Sequence, residues 1–239
     1  MTDILYIIGN GSGWHNNELR YSLRSVAKHA RNVGNVYVIG EHIPFASDAV
    51  KQFSAPDNKG GIYKNVLSKI HFAMREIKGL SESVLVFNDD FFICKDFDAD
   101  AYPYFYRGEL PIVGDGRGWL DTLANARKFL EAAGKTTLSY EEHCPIAVKR
   151  SEWLELSDVW KSSLGVGYGM AWRSVYANWY DKGGEYLHDR KFSECRVEDV
   201  AKDAENRLCI STDDNGLKNG VANWLEDTFI EPSKYERVC

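Results

Sequence analysis

The chain of 239 residues has no paired cysteines, no long apolar run and no basic tract, and each absence removes a class of function. Its five cysteines (Cys94, Cys144, Cys195, Cys209 and Cys239) are scattered and odd in number, with no Cys-x-x-Cys pair. That pattern argues against a disulfide framework and a structural zinc site, and it fits a reducing, cytoplasmic compartment. No apolar stretch approaches the ~18–20 residues that a membrane-spanning helix needs. The opening Met1-Thr2-Asp3-Ile4-Leu5 has no basic region ahead of an apolar one, so no secretory signal is expected. With 29 Lys and Arg against 35 Asp and Glu the net charge is −6, and no run of five basic residues marks a surface for long nucleic acids. The apolar share of 44% and charged share of 27% are ordinary for a globular chain.

What is present reads as an α/β protein. Asp3 to Ile8 is a continuous apolar run of strand length, as expected for a strand buried on both faces. Gly9-Asn10-Gly11-Ser12-Gly13 breaks it, and a helix follows from Asn17, capped by Asn16 or Asn17, with Leu19, Leu23 and Val26 on one face. Asn35–Gly40 is a second buried strand, so the first forty residues form a β-α-β unit with a right-handed crossover. Residues 41–63, with Pro44, Pro56 and Gly60-Gly61, predict a loop. Asn65–Lys78 is an amphipathic helix closed by Gly79, and Ser83–Phe87 is a third strand. A helix over Leu120–Ala133, an aromatic helical stretch over 149–181, a short strand at Arg207–Ile210 and a helix over Val221–Phe229 complete the reading. No repeat or linker divides the chain. The expectation is one domain over 1–239, with a nucleotide- and metal-binding α/β half (1–100) and a mixed, helix-rich half (101–239) on the acceptor side.

The sharpest chemical signal is Asn88-Asp89-Asp90 at the end of the third strand. Open α/β sheets bind ligands at the carboxyl ends of their strands. Adjacent carboxylates there repel unless a cation or protons offset the charge, and Mg²⁺ or Mn²⁺ accepts such groups together with phosphate oxygens. Asn and Asp also build solvated turns, but this pair is framed by Phe87 and Phe91-Phe92. Asp213 and Asp214 repeat the pattern after a second short strand. The Gly9–Gly13 loop, lying before a helix, offers backbone N–H groups to a diphosphate, although a tight turn explains it equally well. It is neither a Walker A loop nor a full dinucleotide fingerprint. Arg20 and Arg24 share a helix face and are candidates to clamp phosphate, with Lys69 as a helper. His143, within Glu141-Glu142-His143-Cys144-Pro145, is a candidate base for an acceptor hydroxyl or a further metal ligand. Trp153 and Trp160, and Trp172 and Trp179, are spaced seven apart, which predicts core packing between helices rather than a sugar platform. Trp14 and Trp119, beside glycine-rich loops, are better placed for ligand contact.

Several strings together resemble the Stealth family of capsular polysaccharide phosphotransferases and the related lysosomal-enzyme N-acetylglucosamine phosphotransferase. Glu18-Leu19-Arg20-Tyr21-Ser22-Leu23-Arg24-Ser25, with Gly79-Leu80-Ser81-Glu82 leading to Phe87-Asn88-Asp89-Asp90, is similar to that family's second signature region. His143-Cys144-Pro145 resembles the third, and Cys209-Ile210 followed by Asp213-Asp214-Asn215 the fourth. The first region's aspartates are missing here, since Ile7 to Gly13 carries none. The resemblance implies a GT-A-like nucleotide-sugar-binding core and a metal-dependent transferase acting on a nucleotide-diphosphate sugar.

The combined expectation is transfer of a sugar or sugar-1-phosphate from that donor to a hydroxyl of a glycan or other acceptor. Asp89, Asp90, Asp213 and Asp214 would hold Mg²⁺ or Mn²⁺. Gly9, Asn10, Gly11, Ser12, Gly13, Arg20, Arg24, Lys69 and Asn88 would hold the donor. His143, Asp90, Asp214 and Arg24 would act in the chemistry. The alternatives are a glycosyltransferase acting on modified DNA, against which the acidic balance counts, and a non-catalytic carbohydrate-binding protein.

Overall fold

The computed structural model describes residues 1–116 and 118–237. The first half opens with β1 (Thr2–Ile7), α1 (Asn17–His29), β2 (Ala30–Arg31) and β3 (Val33–Gly40). It continues through β4 (Val50–Ser54), α2 (Ile62–Glu76), β5 (Ser83–Asn88), β6 (Phe91–Ile93) and β7 (Phe97–Asp98). After β8 (Phe105–Tyr106) and α3 (Trp119–Ala132), the chain returns to the sheet in β9 (Ile146–Lys149). Three helices follow, α4 (Arg150–Glu155), α5 (Ser157–Gly165) and α6 (Trp172–Trp179). The remainder holds β10 (Glu185–Tyr186), β11 (Lys191–Phe192), α7 (Val197–Asn206), β12 (Cys209–Thr212), α8 (Asp214–Gly216) and α9 (Ala222–Thr228).

The central sheet has the order β4-β3-β1-β5-β9, with the first four strands parallel and β9 antiparallel at the edge. Both faces are covered, which is why its inner strands read as unbroken apolar runs. Alternate residues go to opposite cores. Leu5, Ile7, Tyr37, Ile39, Val84 and Val86 face α2, while Ile4, Tyr6, Val36, Val38, Leu85 and Phe87 pack with Leu19, Leu23 and Val26 of α1. A third core joins β6, β11 and β12 to α7 and α9 through Phe92, Phe192, Ile210, Val200 and Leu225.

Two strands of the central sheet went unforeseen, as did the short strands outside it apart from β12. β4 lies where a loop was expected, because its polar residues pair through the backbone at an exposed edge. β9 merges into the helical stretch after it, and only its pairing with β5 separates the two. α2 begins earlier than its periodicity suggested and ends at an extended Ile77 rather than at Gly79. Asn16 does precede α1, but in a left-handed conformation (φ 59°) and without a side-chain cap. Ser12 closes that end instead, its Oγ accepting from the N–H of Asn16 at 2.8 Å.

The tryptophans spaced seven apart are packing residues. Trp153 and Trp160 stack at 4.4 Å, and Trp172 meets Trp153 edge-on at 5.6 Å. Trp179 lies on Phe129 at 5.5 Å. Trp153→Ala is therefore expected to cost about 3–5 kcal/mol, measured by urea denaturation, because the stack cannot collapse into so large a void. No helix among the described residues is long and apolar enough to cross a membrane.

Candidate active site

Strand register assembles the site. Ile7 stands opposite both Ile39 and Asn88, so the Gly9–Gly13 loop leaves the sheet beside Asn88-Asp89-Asp90. β12 runs antiparallel to β6 with Ser211 opposite Phe91, which brings Asp213 and Asp214 to the same edge. Parallel pairing of β11 sets Lys191 opposite Ser211. The result is a cleft of about 760 Å³ whose walls include Gly9–Ser12, Asn88, Asp89, Asp90, Asp213 and Asp214. Sequence reasoning placed all of these. It missed Glu18, Asp57 and Lys191, which line the same cleft: Glu18 opens a string read for its arginines, and Asp57 and Lys191 come from segments with no local signal.

The cleft is strongly acidic. Six carboxylates face it with Lys191 as the cation in its lining. Burial, then the charges of Asp90 and Glu18, push Asp89 up to about 7. Lys191 Nζ lies 3.1 Å from Asp90 Oδ2, while Asp90 Oδ1 is buried with no hydrogen-bond partner among the described residues. Asp213 serves the backbone, since Oδ1 accepts from the N–H groups of Asn215 at 2.9 Å and Gly216 at 3.0 Å. Burial works against its charge, but these bonds and the Ser193 hydroxyl outweigh it and hold Asp213 below the ordinary range. Of the second acidic pair, Asp214 is thus the carboxylate left for a ligand.

No group of three or more His, Cys, Asp or Glu among the described residues is arranged to hold a metal by itself. The donor set nevertheless fits a hard cation that arrives with a diphosphate, because such an ion takes one or two carboxylates and fills its remaining positions with phosphate oxygens and water. The orphaned Asp90 oxygen supports that fit. The loop glycines add nothing to that fit. None of Gly9, Gly11 and Gly13 has a positive φ, so the backbone does not require them. A Cβ on Gly9 or Gly13 would meet Asp57 Oδ2 at 3.6 Å or Asp214 Oδ2 at 3.9 Å, ordinary contact distances, so no steric clash requires glycine there either.

Other candidate residues do not reach the cleft as expected. Arg24 clamps Glu236, with Nε at 2.8 Å from Oε1 and Nη2 at 2.7 Å from Oε2, and Nη1 donates to the carbonyls of Phe229 and Ile230. Arg20 lies over the Phe45 ring at 4.4 Å, with Nε 3.9 Å from Glu236. Both tie α1 to the C-terminal segment, so the arginine phosphate clamp does not form. Lys69 is buried behind the glycine loop, donating to the Ile8 carbonyl at 2.6 Å and paired with Asp57. The positive end of α1 is also taken, because Glu18 in its first turn accepts from Ser12 Oγ at 2.9 Å.

His143 lies in a second cleft of about 430 Å³ that shares Ile62, Asn88 and Lys191 with the first. Its Nδ1 is 2.6 Å from Asp189 Oδ2, and its backbone N–H donates to the same oxygen. Burial opposes the Asp189 charge, but the bonds and charge of His143, aided by Arg107, hold this carboxyl well below its usual value. An ionised Asp189 fixes the proton on Nδ1 and leaves Nε2 for the cleft. Asp189 was not anticipated, since 46 residues separate it from its partner.

Glu142 is 2% exposed, with Oε1 3.4 Å from Arg107 Nε but without a hydrogen bond among the described residues, and Oε2 accepting from the Asp189 N–H at 3.2 Å. Burial and the Asp189 charge raise it to about 7, against the pull of Arg107. A carboxyl raised on folding stabilises the fold while protonated. Stability is therefore lost as pH rises from near 4.5 to above 7. Glu142→Gln is expected to flatten the fall in Tm between pH 5 and 8, as thermal melts would show.

No protein-family model matches the sequence, and no curated protein matches it, so the Stealth resemblance rests on its short strings alone. Solved structures do match. The chain is similar to the galactosyltransferase LgtC in complex with donor and acceptor sugar analogs, with a TM-score of 0.53, 11% identity, and coverage of 97% of this chain and 96% of that one. An active-site mutant of LgtC matches over 88% of this chain and 87% of its own, with a TM-score of 0.48 and 12% identity. A mixed α/β architecture on a parallel central sheet, extending over nearly the whole chain, makes this the GT-A glycosyltransferase fold.

Proposed function

We propose that the protein is a metal-dependent glycosyltransferase that moves a sugar from a nucleotide-diphosphate donor to an acceptor hydroxyl. The observation that carries this reading is one acid-lined cleft, too negative for a bare diphosphate, joined through Asn88 and Lys191 to a second cleft holding a His–Asp pair. The donor would lie along Gly9–Ser12 with its diphosphate near Asp89, Asp90 and Asp214. Asp89, Asp90 and Asp214 would hold Mg²⁺ or Mn²⁺, whose chemistry there would be to offset charge on the oxygens of the leaving phosphate. Lys191, at the seam, adds a second positive charge beside the same oxygens.

His143 Nε2 would take the proton from the acceptor hydroxyl as the acceptor oxygen bonds to the anomeric carbon. The bond from that carbon to the β-phosphate oxygen breaks, and its electron pair leaves with the nucleoside diphosphate. Asp189 holds the imidazole in the required tautomer and stabilises the imidazolium. A thermal-shift panel of nucleotide sugars with and without Mn²⁺ finds the donor, and analysis of the released nucleotide tests the bond broken. A nucleoside diphosphate is expected. A nucleoside monophosphate would instead mean attack at phosphorus, the sugar-phosphate transfer that the Stealth resemblance implies.

A further inference from the structure

Resting on that transferase reading, we propose that the acceptor is an amphiphile, a sugar carrying an apolar group near its accepting hydroxyl, and that three chain segments around the mouth of the His143 cleft hold the apolar group. Among the described residues ten large apolar side chains are exposed, and seven of them fall in these three short stretches. Ile62, 76% exposed, opens α2. Ile112 and Val113, 70% and 72% exposed, precede α3, whose first residues Trp119 and Leu120 are also open. Val166 and Tyr168 lie between α5 and α6.

The three stretches meet in space. The ring of Tyr63, next to Ile62, packs on Trp119 at 5.1 Å. The Tyr168 hydroxyl donates to the Gly116 carbonyl at 3.4 Å, and a Cβ on Gly118 would touch the Tyr168 ring. Gly114 is pressed against Asp121 in the first turn of α3, which brings Val113 to the same helix end. Apolar side chains exposed singly need no explanation, whereas a contiguous group marks a binding surface.

Continuity with the cleft selects the occupant. Ile62 and Trp119 belong both to this apolar rim and to the cleft wall, so a molecule seated against His143 leaves across the rim. The cleft interior offers Glu141, Glu142, His143 and Asn88 to hydroxyl groups, and the rim offers aliphatic and aromatic surface to an alkyl or aryl group. With a net charge of −6, the chain has no cationic excess to draw it to an anionic lipid surface, which favours an apolar group on the acceptor itself.

The test measures binding of methyl and octyl β-glucoside, and of methyl and octyl β-galactoside, to the whole protein. The octyl forms are kept below micelle concentrations, with titration calorimetry and tryptophan fluorescence as readouts. The octyl member of at least one pair is expected to bind about tenfold or more tightly than its methyl counterpart. In a Val113→Ser, Leu120→Gln double variant that ratio should fall close to one. Ile230→Ser, which removes an exposed apolar residue outside the three stretches, should preserve it. Equal binding of both forms by the wild type would overturn the proposal. So would an octyl preference that survives the double variant, or sedimentation showing a dimer that the double variant dissociates. A missing Mn²⁺-dependent shift with every nucleotide sugar would count against the transferase reading instead, and the octyl ratio would still decide the role of the rim.

Discussion

Asp90→Asn is expected to lower turnover by about a thousandfold or more while leaving the protein folded and no less stable. The substitution keeps the shape of the side chain and removes one of the two charges that make the Asp89 and Asp90 pair repulsive. Its cost appears when the diphosphate and its cation must be held, because the buried and unpartnered Asp90 Oδ1 then offers no charge. Three measurements check this. Activity should be lost in the variant and in wild type treated with EDTA. Without metal, the variant should melt at the wild-type temperature or slightly above it. The Mn²⁺-induced rise in Tm, present in wild type, should disappear. In wild type that rise should be larger at pH 8 than at pH 6, since a proton on the Asp89 carboxyl, held up to about 7, competes with the cation. Full activity in EDTA with Asp89 and Asp90 both replaced would remove the metal from the mechanism.

If His143 acts as proposed, His143→Gln should reduce kcat by about 10²–10⁴-fold with little change in donor affinity, because its side chain lines the second cleft and would act only on the acceptor's hydroxyl proton. Asp189→Asn separates positioning from chemistry. The amide keeps the size of the carboxylate but not its charge, so the imidazole loses the partner that fixes its tautomer at 2.6 Å. A loss of about a hundredfold in kcat is expected. The donor-induced thermal shift should be unchanged, which would distinguish a misplaced base from a damaged fold. Wild-type kcat in His143→Gln would show that the acceptor hydroxyl is activated elsewhere.

Parts of the site were legible because their signals are local. An apolar strand that ends in Asn88-Asp89-Asp90 places a carboxylate pair at a sheet edge, and the glycine loop follows directly from β1. Arg24 misled for the same reason. A helix arginine bound for a phosphate and one bound for Glu236 have identical neighbours in sequence, and only the return of the C-terminal segment onto α1 separates them.

By itself the sequence determined the three inner strands and their helices, because burial on both faces writes an unbroken apolar run and burial on one face writes a helical stripe. It also determined which strand ends carry acid. Tertiary structure alone decided that the edge strands β4 and β9 exist, since backbone pairing leaves little trace in side-chain pattern. It alone brought Glu18, Asp57 and Lys191 into the acidic cleft and Asp189 onto His143. A charged side chain contributes through what stands opposite it, and that partner is chosen by strand register and chain return across tens of residues.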